Sequence, residues 1–311
     1  MSSSIEIFDD VMLPQEIVEA GVTGGQTRVN VRGRNQGGFD SVTVIRAVTM
    51  RFFQIGIAPM EARLWRVAES IYEITDAGAY GFLMEDPKDA FVDGSASSMQ
   101  GYMLGVQFGD AGFGNGCPVY VLQRRHVLEG TTRESFRDIS RPVGVPPMWR
   151  GGTPITIGAA PGNAALSAGP VLVTFVPDAT RAVSAIAVGA TTQVTLSSAI
   201  AGFVTGTGRL WLQGVGGADA ALLNNQSHQI TNIAGAVYTI ATNTLGKTIS
   251  NTGEGRKYPQ PDEALTWEGR FLLPVHFRSD NLDWEIVAAD EDSESRLVRG
   301  PLIVLDEVRE S

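Results

Sequence analysis

Sulfur and imidazole are scarce in this chain. Among 311 residues there is one cysteine, Cys117, and there are three histidines, His126, His228 and His276. A single cysteine excludes an internal disulfide, which fits a reducing compartment or assembly inside a cell. The histidines lie far apart in sequence, none one helical turn from another and none near Cys117. The clustered Cys and His ligands of zinc sites are therefore missing, and no metal or cofactor is expected. The strained G-x-S-x-G turn of many serine nucleophiles is also absent. Charge is sparse, at 19% of residues, and its balance is −10. With 43% hydrophobic residues this is not a disordered composition. The acidic balance argues against broad attraction to nucleic acid and leaves room only for a local basic patch. No apolar run approaches the roughly 18 residues that span a bilayer. The start, MSSSIEIFDDVMLP, has no basic segment leading into an apolar one. Neither a secretory leader nor a membrane anchor is expected.

Glycine, by contrast, is abundant. The 36 glycines punctuate short apolar segments, as turns do in an all-β protein. Thr27–Arg32 alternates polar and apolar residues, and Ser41–Phe53 does so again beyond Gly37-Gly38, so a β-hairpin is expected. One stretch breaks the period of two. In APMEARLWRVAESIYEITDAG, residues Leu64, Val67, Ala68, Ile71 and Ile74 recur at spacings of three and four. Pro59 suits a first helical turn and Gly78 a stop, which predicts a helix from about Pro59 to Asp76. Ala79–Phe91 then reads as a strand ending at Asp86-Pro87, and Gly101–Leu128 as strands around a glycine-rich turn.

Near Arg150 the composition changes. From Gly151 to Tyr258 the chain is rich in Ala, Gly, Thr, Val and Asn, and charge is thin. AVSAIAVGATTQVTLSS, GTGRLWLQGV, HQITNI and AVYTIATN are short strand-like runs between Gly and Asn turns. The charged, strand-rich style returns by Thr266. The expected organisation is a discontinuous domain of residues 1–150 and 262–311, interrupted by a small β domain of residues 151–261. The fold class expected is mainly β, with one main α-helix.

Motifs that carry chemistry fall short one by one. LGKT (Leu245–Thr248) needs a glycine five positions before its Gly-Lys pair to curl around phosphate, and Ala241 stands there. A hairpin loop is expected instead. GDAGFGNG (Gly109–Gly116) is followed by VYVLQ rather than by a helix whose N-terminus could hold a pyrophosphate, so it reads as a β-turn. Cys117, flanked by Pro118 and apolar residues, reads as a buried, inert thiol. The acidic run DEDSES (Asp290–Ser295) lacks the glycine and spaced glutamate of a calcium loop and reads as a solvated turn.

FLLPVHFRSDNLDWEI (Phe271–Ile286) is the stretch with most chemistry in one place. Phe271, Leu273, Val275 and Phe277 share one face of an extended segment; Leu272, Pro274, His276 and Arg278 share the other. Asp280, beyond the strand, is placed to form an Asx turn or to pair with Arg278. A proline inside a strand argues for an edge or a bulge, and edges are covered or paired, often by another subunit. Pro274, His276, Arg278 and Asp280 are thus candidate subunit-interface residues. With no nucleophile or metal ligand set beside them, no catalytic role is expected. Trp211, in GTGRLWLQGV, is the aromatic singled out as a candidate outer binding surface, against the alternative of a core tryptophan.

Three blocks together resemble the distal tail proteins of long-tailed phages and gene transfer agents, a family long catalogued as a phage domain of unknown function. The first is the helix followed by GAYGFLMEDPKDAF. The second is FGDAGFGNGCPVYVLQRRH with RESFRDISRPVG after it. The third is FLLPVHFRSDNLDWEI with the closing VLDEVRE (Val304–Glu310). They cover most of residues 1–150 and 266–311. The chain departs from the family in having Asp76-Ala77-Gly78 where a basic pair is usual, and in a longer middle region. Within that region Val183–Ile240 is similar to a small β module of other phage tail proteins, through LWLQGVGG and LLNN.

The resemblance implies a tail-tube-like β-sandwich with one helix and an inserted β module. It implies a non-enzymatic structural protein of a virion tail tip, assembled in the bacterial host cytoplasm. Its partners would be five further copies in a hexameric ring, the tail tube protein and the baseplate hub protein, with DNA crossing the channel without specific binding. The alternative from the residues is a carbohydrate-binding or host-receptor-binding module without catalysis.

Overall fold

The computed structural model describes residues 5–19, 21–34, 39–44, 49–56, 58–288, 297–299 and 302–310. The protein is mainly β, with two α-helices and a small closed six-stranded barrel. It divides into two compact units, residues 1–90 with 271–311 and residues 91–270. The division falls outside the 151–261 insert expected from composition. The reason is pairing: Leu172–Phe175, inside the low-charge stretch, is hydrogen-bonded to Val119–Val121, before it. Strand partners cross the composition change, so both sides belong to one unit.

The first unit is built on a six-stranded sheet. Its order is Ile7–Met12, Gly81–Met84, Leu273–Phe277, Ile303–Glu307, Met50–Ile55 and Val22–Thr27. The first pair is parallel and the rest antiparallel. Phe53, Ile55, Phe82, Met84, Val275, Phe277 and Leu305 are buried. A fully buried side chain of this size contributes about 1.5–3 kcal/mol.

The helix spans Ala62–Ile74. It begins later than expected because Met60 and Glu61 pair with Val298 and Leu297 as a short strand. Pro59 therefore precedes a strand and not a helical turn. Trp65, Ala68 and Ile71 are the buried helical residues, whereas Ile74 is 56% exposed. The helix ends where the Thr75 hydroxyl donates to the Ile71 carbonyl, and Gly78 follows at φ +91°. A Cβ at Gly78 would stand 2.4 Å from the Phe277 carbonyl oxygen, so this stop needs glycine twice over. A second, five-residue helix, Gln15–Glu19, buries Ile17 and Val18.

The Asp86-Pro87 turn has a structural task. Arg51 is 6% exposed and its guanidinium is ion-paired with Asp86 and, at 2.6 Å, with Asp89. Asp86 also accepts the Lys88 backbone N–H at 2.9 Å, and the Glu307 carboxylate accepts the Arg51 backbone N–H at 2.7 Å. A buried guanidinium is tolerable only with such partners.

The second unit carries a sheet ordered Val106–Phe108, Ser97–Met103, Val119–Val127, Leu172–Phe175 and Ala164–Leu166, with Glu134–Ile139 on the far half of Val119–Val127. The barrel is ordered Ala179–Ala187, Thr192–Leu196, Val237–Ile240, Gln226–Ala234, Arg209–Gln213 and Glu254–Lys257. Two long strands close it. Ala179–Ala182 pairs with Glu254–Lys257 and Val183–Ala187 with Thr192–Leu196, with a register shift between Val183 and Ala185. Gln226–Gln229 pairs with Arg209–Leu212 and Ile230–Ala234 with Val237–Ile240, with a shift between Ile230 and Asn232. Such bulges bend a strand enough to turn a corner. Val194, Leu196, Leu210, Leu212, Ile230, Tyr238 and Ile240 fill the interior, so it is a packed core and not a ligand cavity. Arg150 ties the barrel to the preceding strands with 2.6 Å bonds to both Asp178 oxygens and a 2.8 Å bond to Glu263. Burial works against its charge, and those two carboxylates outweigh it.

Candidate subunit interface

The proline strand, Leu273–Phe277, alternates as expected. Phe271, Leu273, Val275 and Phe277 are at most 5% exposed. Its position differs from expectation: it lies between Gly81–Met84 and Ile303–Glu307, inside the sheet and not at its edge. Pro274 is tolerated there because it sits near the strand's end. Its carbonyl accepts the Val308 N–H at 2.8 Å, and the donor it lacks faces the side where that partner strand is finishing. Pro274 is buried and so offers nothing to a second subunit.

His276 is half-buried opposite Asp306 in the register. Arg278 is exposed and pairs with Asp306, not with Asp280: its Nε is 2.7 Å from one oxygen and its Nη2 bonds the other. The guanidinium also lies 5.6 Å from the Phe52 ring centroid. Hydrogen bonds to Asp306 raise the Arg278 pKa, burial opposing them weakly. The face is thus a framework that holds three strands in register. Asp280 alone of the four candidates stands fully out of it, on the surface beyond the strand.

Two other surfaces of this unit are exposed in ways the sequence reading did not single out. The hairpin Val22–Thr27/Met50–Ile55 continues past the sheet as a two-stranded arm, Asn30–Arg34 paired with Asp40–Val44. Every described residue of these two arm strands is exposed. Directly opposed residues share a face, so Arg32 and Arg34 stand with Val42 and Val44 on one side. The arm's valines are 44–55% exposed. An isolated two-stranded ribbon is only marginally stable in water.

The second surface is an open groove of about 510 Å³ lined by Glu69, Tyr72, Glu73, Asp280–Asp283 and Trp284. Tyr72 is anchored by an edge-on ring contact to Phe277, centroids 5.2 Å apart. Its hydroxyl pKa is raised by burial, then by Asp280, Glu73 and Asp283. Glu69 is engaged by the Trp65 indole N–H at 2.8 Å. Glu73, Asp280 and Asp283 have no hydrogen-bond or ion-pair partner among the described residues. Trp284 is 58% exposed, and Ile286, Val287, Leu297 and Leu302 are each 38–46% exposed.

The remaining candidates are structural. Trp211 is buried in the barrel wall, edge-on to Tyr258 at 6.0 Å, which places it away from any outer binding surface. Cys117 is buried, and burial pushes its thiol up to about 11. The Gly109–Gly116 turn packs where a Cβ at Gly114 would meet the Pro259 and Gln260 backbone at 2.4 Å. LGKT lies on a connection between Val237–Ile240 and Glu254–Lys257, which are not barrel neighbours, so it crosses over and is not a hairpin loop. Its Thr248 N–H donates to the Asp219 carboxylate at 2.8 Å, the wrong sign of neighbour for a phosphate. The Asp290–Ser295 run lies outside the described residues. Among the described residues no group of three or more His, Cys, Asp or Glu is placed to hold a metal ion. No helix among them is long and apolar enough to cross a membrane. Comparison of the chain with protein-family models and with curated proteins returns no match.

Proposed function

We propose that the protein is a structural ring component of a phage-like tail tip, a distal tail protein whose copies close a hexamer between the tail tube and the baseplate hub. Its task in this reading is assembly, not chemistry, and DNA crosses the ring without specific contact. The observation that carries the reading is the arm: two strands held out from the sheet with both faces in water and valines on each. A monomer gains little from such a ribbon, whereas an assembly uses it as a contact. Among the described residues Ile7–Met12 and Val22–Thr27 are the two edges of the sheet, with backbone of the kind neighbouring copies complete. The three sequence blocks that resemble distal tail proteins support the specific identity. The alternative of a glycan-binding module loses its leading aromatic, since Trp211 is buried. Negative-stain images of the purified full chain test the proposal. Rings of uniform diameter are expected; uniformly small, single particles at every concentration would end it.

A further inference from the structure

The exposed arm and the acid-and-aromatic groove are chemical complements at opposite ends of one sheet. Between Thr27 and Thr49 the sequence has four arginines and one aspartate, in a chain whose balance is −10. Among the described residues Arg32 has no hydrogen-bond or ion-pair partner, and Arg34 pairs with the exposed Asp40 alone, at 3.2 Å. Between Ser279 and Ser295 the sequence has seven carboxylates and no basic residue. Each surface also has an apolar part, Val42 and Val44 on the arm and Leu282 with Trp284 in the groove. The groove is therefore more than a run of acids: Tyr72, Leu282 and the exposed Trp284 indole also line it.

The register roots the arm at the end of the sheet away from its own chain's groove. The arm leaves the sheet at the Thr27/Met50 pair. The groove opens beyond Phe277 and Ile303, at the end marked by the Val22/Ile55 and Ile55/Ile303 pairs. At about 3.3 Å per residue those ends of the sheet are on the order of 15 Å apart.

We infer that the arm of one copy docks in the groove of the next, with Arg32 and Arg34 facing Glu73, Asp280 and Asp283, and Val42 and Val44 against Trp284. Such a contact joins unlike surfaces of identical chains, the kind that closes a ring when the rotation permits. Charge complementarity fixes its direction and disfavours arm-to-arm and groove-to-groove pairing. The inference rests on the ring reading above and specifies which surfaces make the ring.

Sedimentation velocity of the full chain and two variants tests it. R32E/R34E reverses the arm and D280R/D283R reverses the groove; all four positions are exposed, and circular dichroism checks that each variant keeps its fold. Each variant alone should associate at least about tenfold more weakly than the natural chain. Mixed in equal amounts they should assemble again, because the glutamate arm meets the arginine groove and the natural arm meets the natural groove. Natural-chain assembly should also weaken as salt rises from about 0.05 to 0.5 M. Undiminished assembly of either variant, or no recovery on mixing, overturns the docking while leaving the ring reading intact. Should a variant fail to fold, assembly of the natural chain that is indifferent to salt overturns the docking instead. A natural chain that stays monomeric throughout overturns the ring reading, and the docking with it.

Discussion

Replacing Asp86 by alanine should destabilise the first unit by about 3 kcal/mol. Removing one partner of a buried ion pair typically costs about 3–5 kcal/mol, because the other charge is left in a low-dielectric site. Arg51 is 6% exposed and Asp86 5% at their side chains, so the buried case applies. Asp89 remains as a second carboxylate at 2.6 Å, which keeps the cost near the lower end. The Lys88 N–H also loses its acceptor. In a unit of this size about 3 kcal/mol lowers the melting temperature by roughly 10 °C. Differential scanning calorimetry reads that shift, and hydrogen exchange of the Met50–Ile55 amides reports whether it lies in the first unit. Asp89, with 19% side-chain exposure, should cost less on the same substitution. A D86A melting temperature within about 2 °C of the natural chain, or a larger loss for D89A, would refute the claim that the Asp86-Pro87 turn is an anchor for Arg51.

Other expectations follow from the second unit. Gly114→Ala should cost about 1–3 kcal/mol, read as a lower urea midpoint, because the added Cβ meets backbone that cannot turn aside. Cys117 should resist iodoacetamide in the native protein at pH 8 and react after unfolding, since its pKa of about 11 leaves almost no thiolate. His228 is buried with Nε2 2.8 Å from the Leu223 carbonyl and Nδ1 2.6 Å from the Thr242 hydroxyl, an arrangement for a neutral ring. Burial lowers its pKa below the unfolded value of about 6.5. Its contribution to stability is therefore full above that value and is lost as pH falls through the folded pKa. Thermal melts from pH 7 to 5 should show the decline, and His228→Gln should flatten it.

Much of the fold was written in side-chain periods. The alternation in FLLPVHF assigned Phe271, Leu273, Val275 and Phe277 to a buried face, and they are buried. The proline misled the edge assignment, because what matters is which neighbour the missing N–H would face, and only the tertiary register decides that. The helical stripe was correct at Ala68 and Ile71 but wrong at Ile74, where the helix runs out and leaves the last apolar residue in water. Trp65 replaces it, satisfied by Glu69 one turn on, a pairing that hydrophobic spacing does not reveal. Composition located the barrel region but not the unit boundary, since strands on both sides of Arg150 pair with each other. The arm was legible as a hairpin; its complete exposure was not, because alternating Val and polar residues predict one buried face. The groove joins the helix to a segment some two hundred residues later, and no local pattern announces such a meeting.

Self-association of identical chains is the central claim. Mass photometry of the purified full chain, diluted across a hundredfold range, tests it most directly. A closed species near six times the 33.2 kDa chain mass, persisting to the lowest concentrations at low salt, is the expected result. A single 33.2 kDa peak throughout would contradict it.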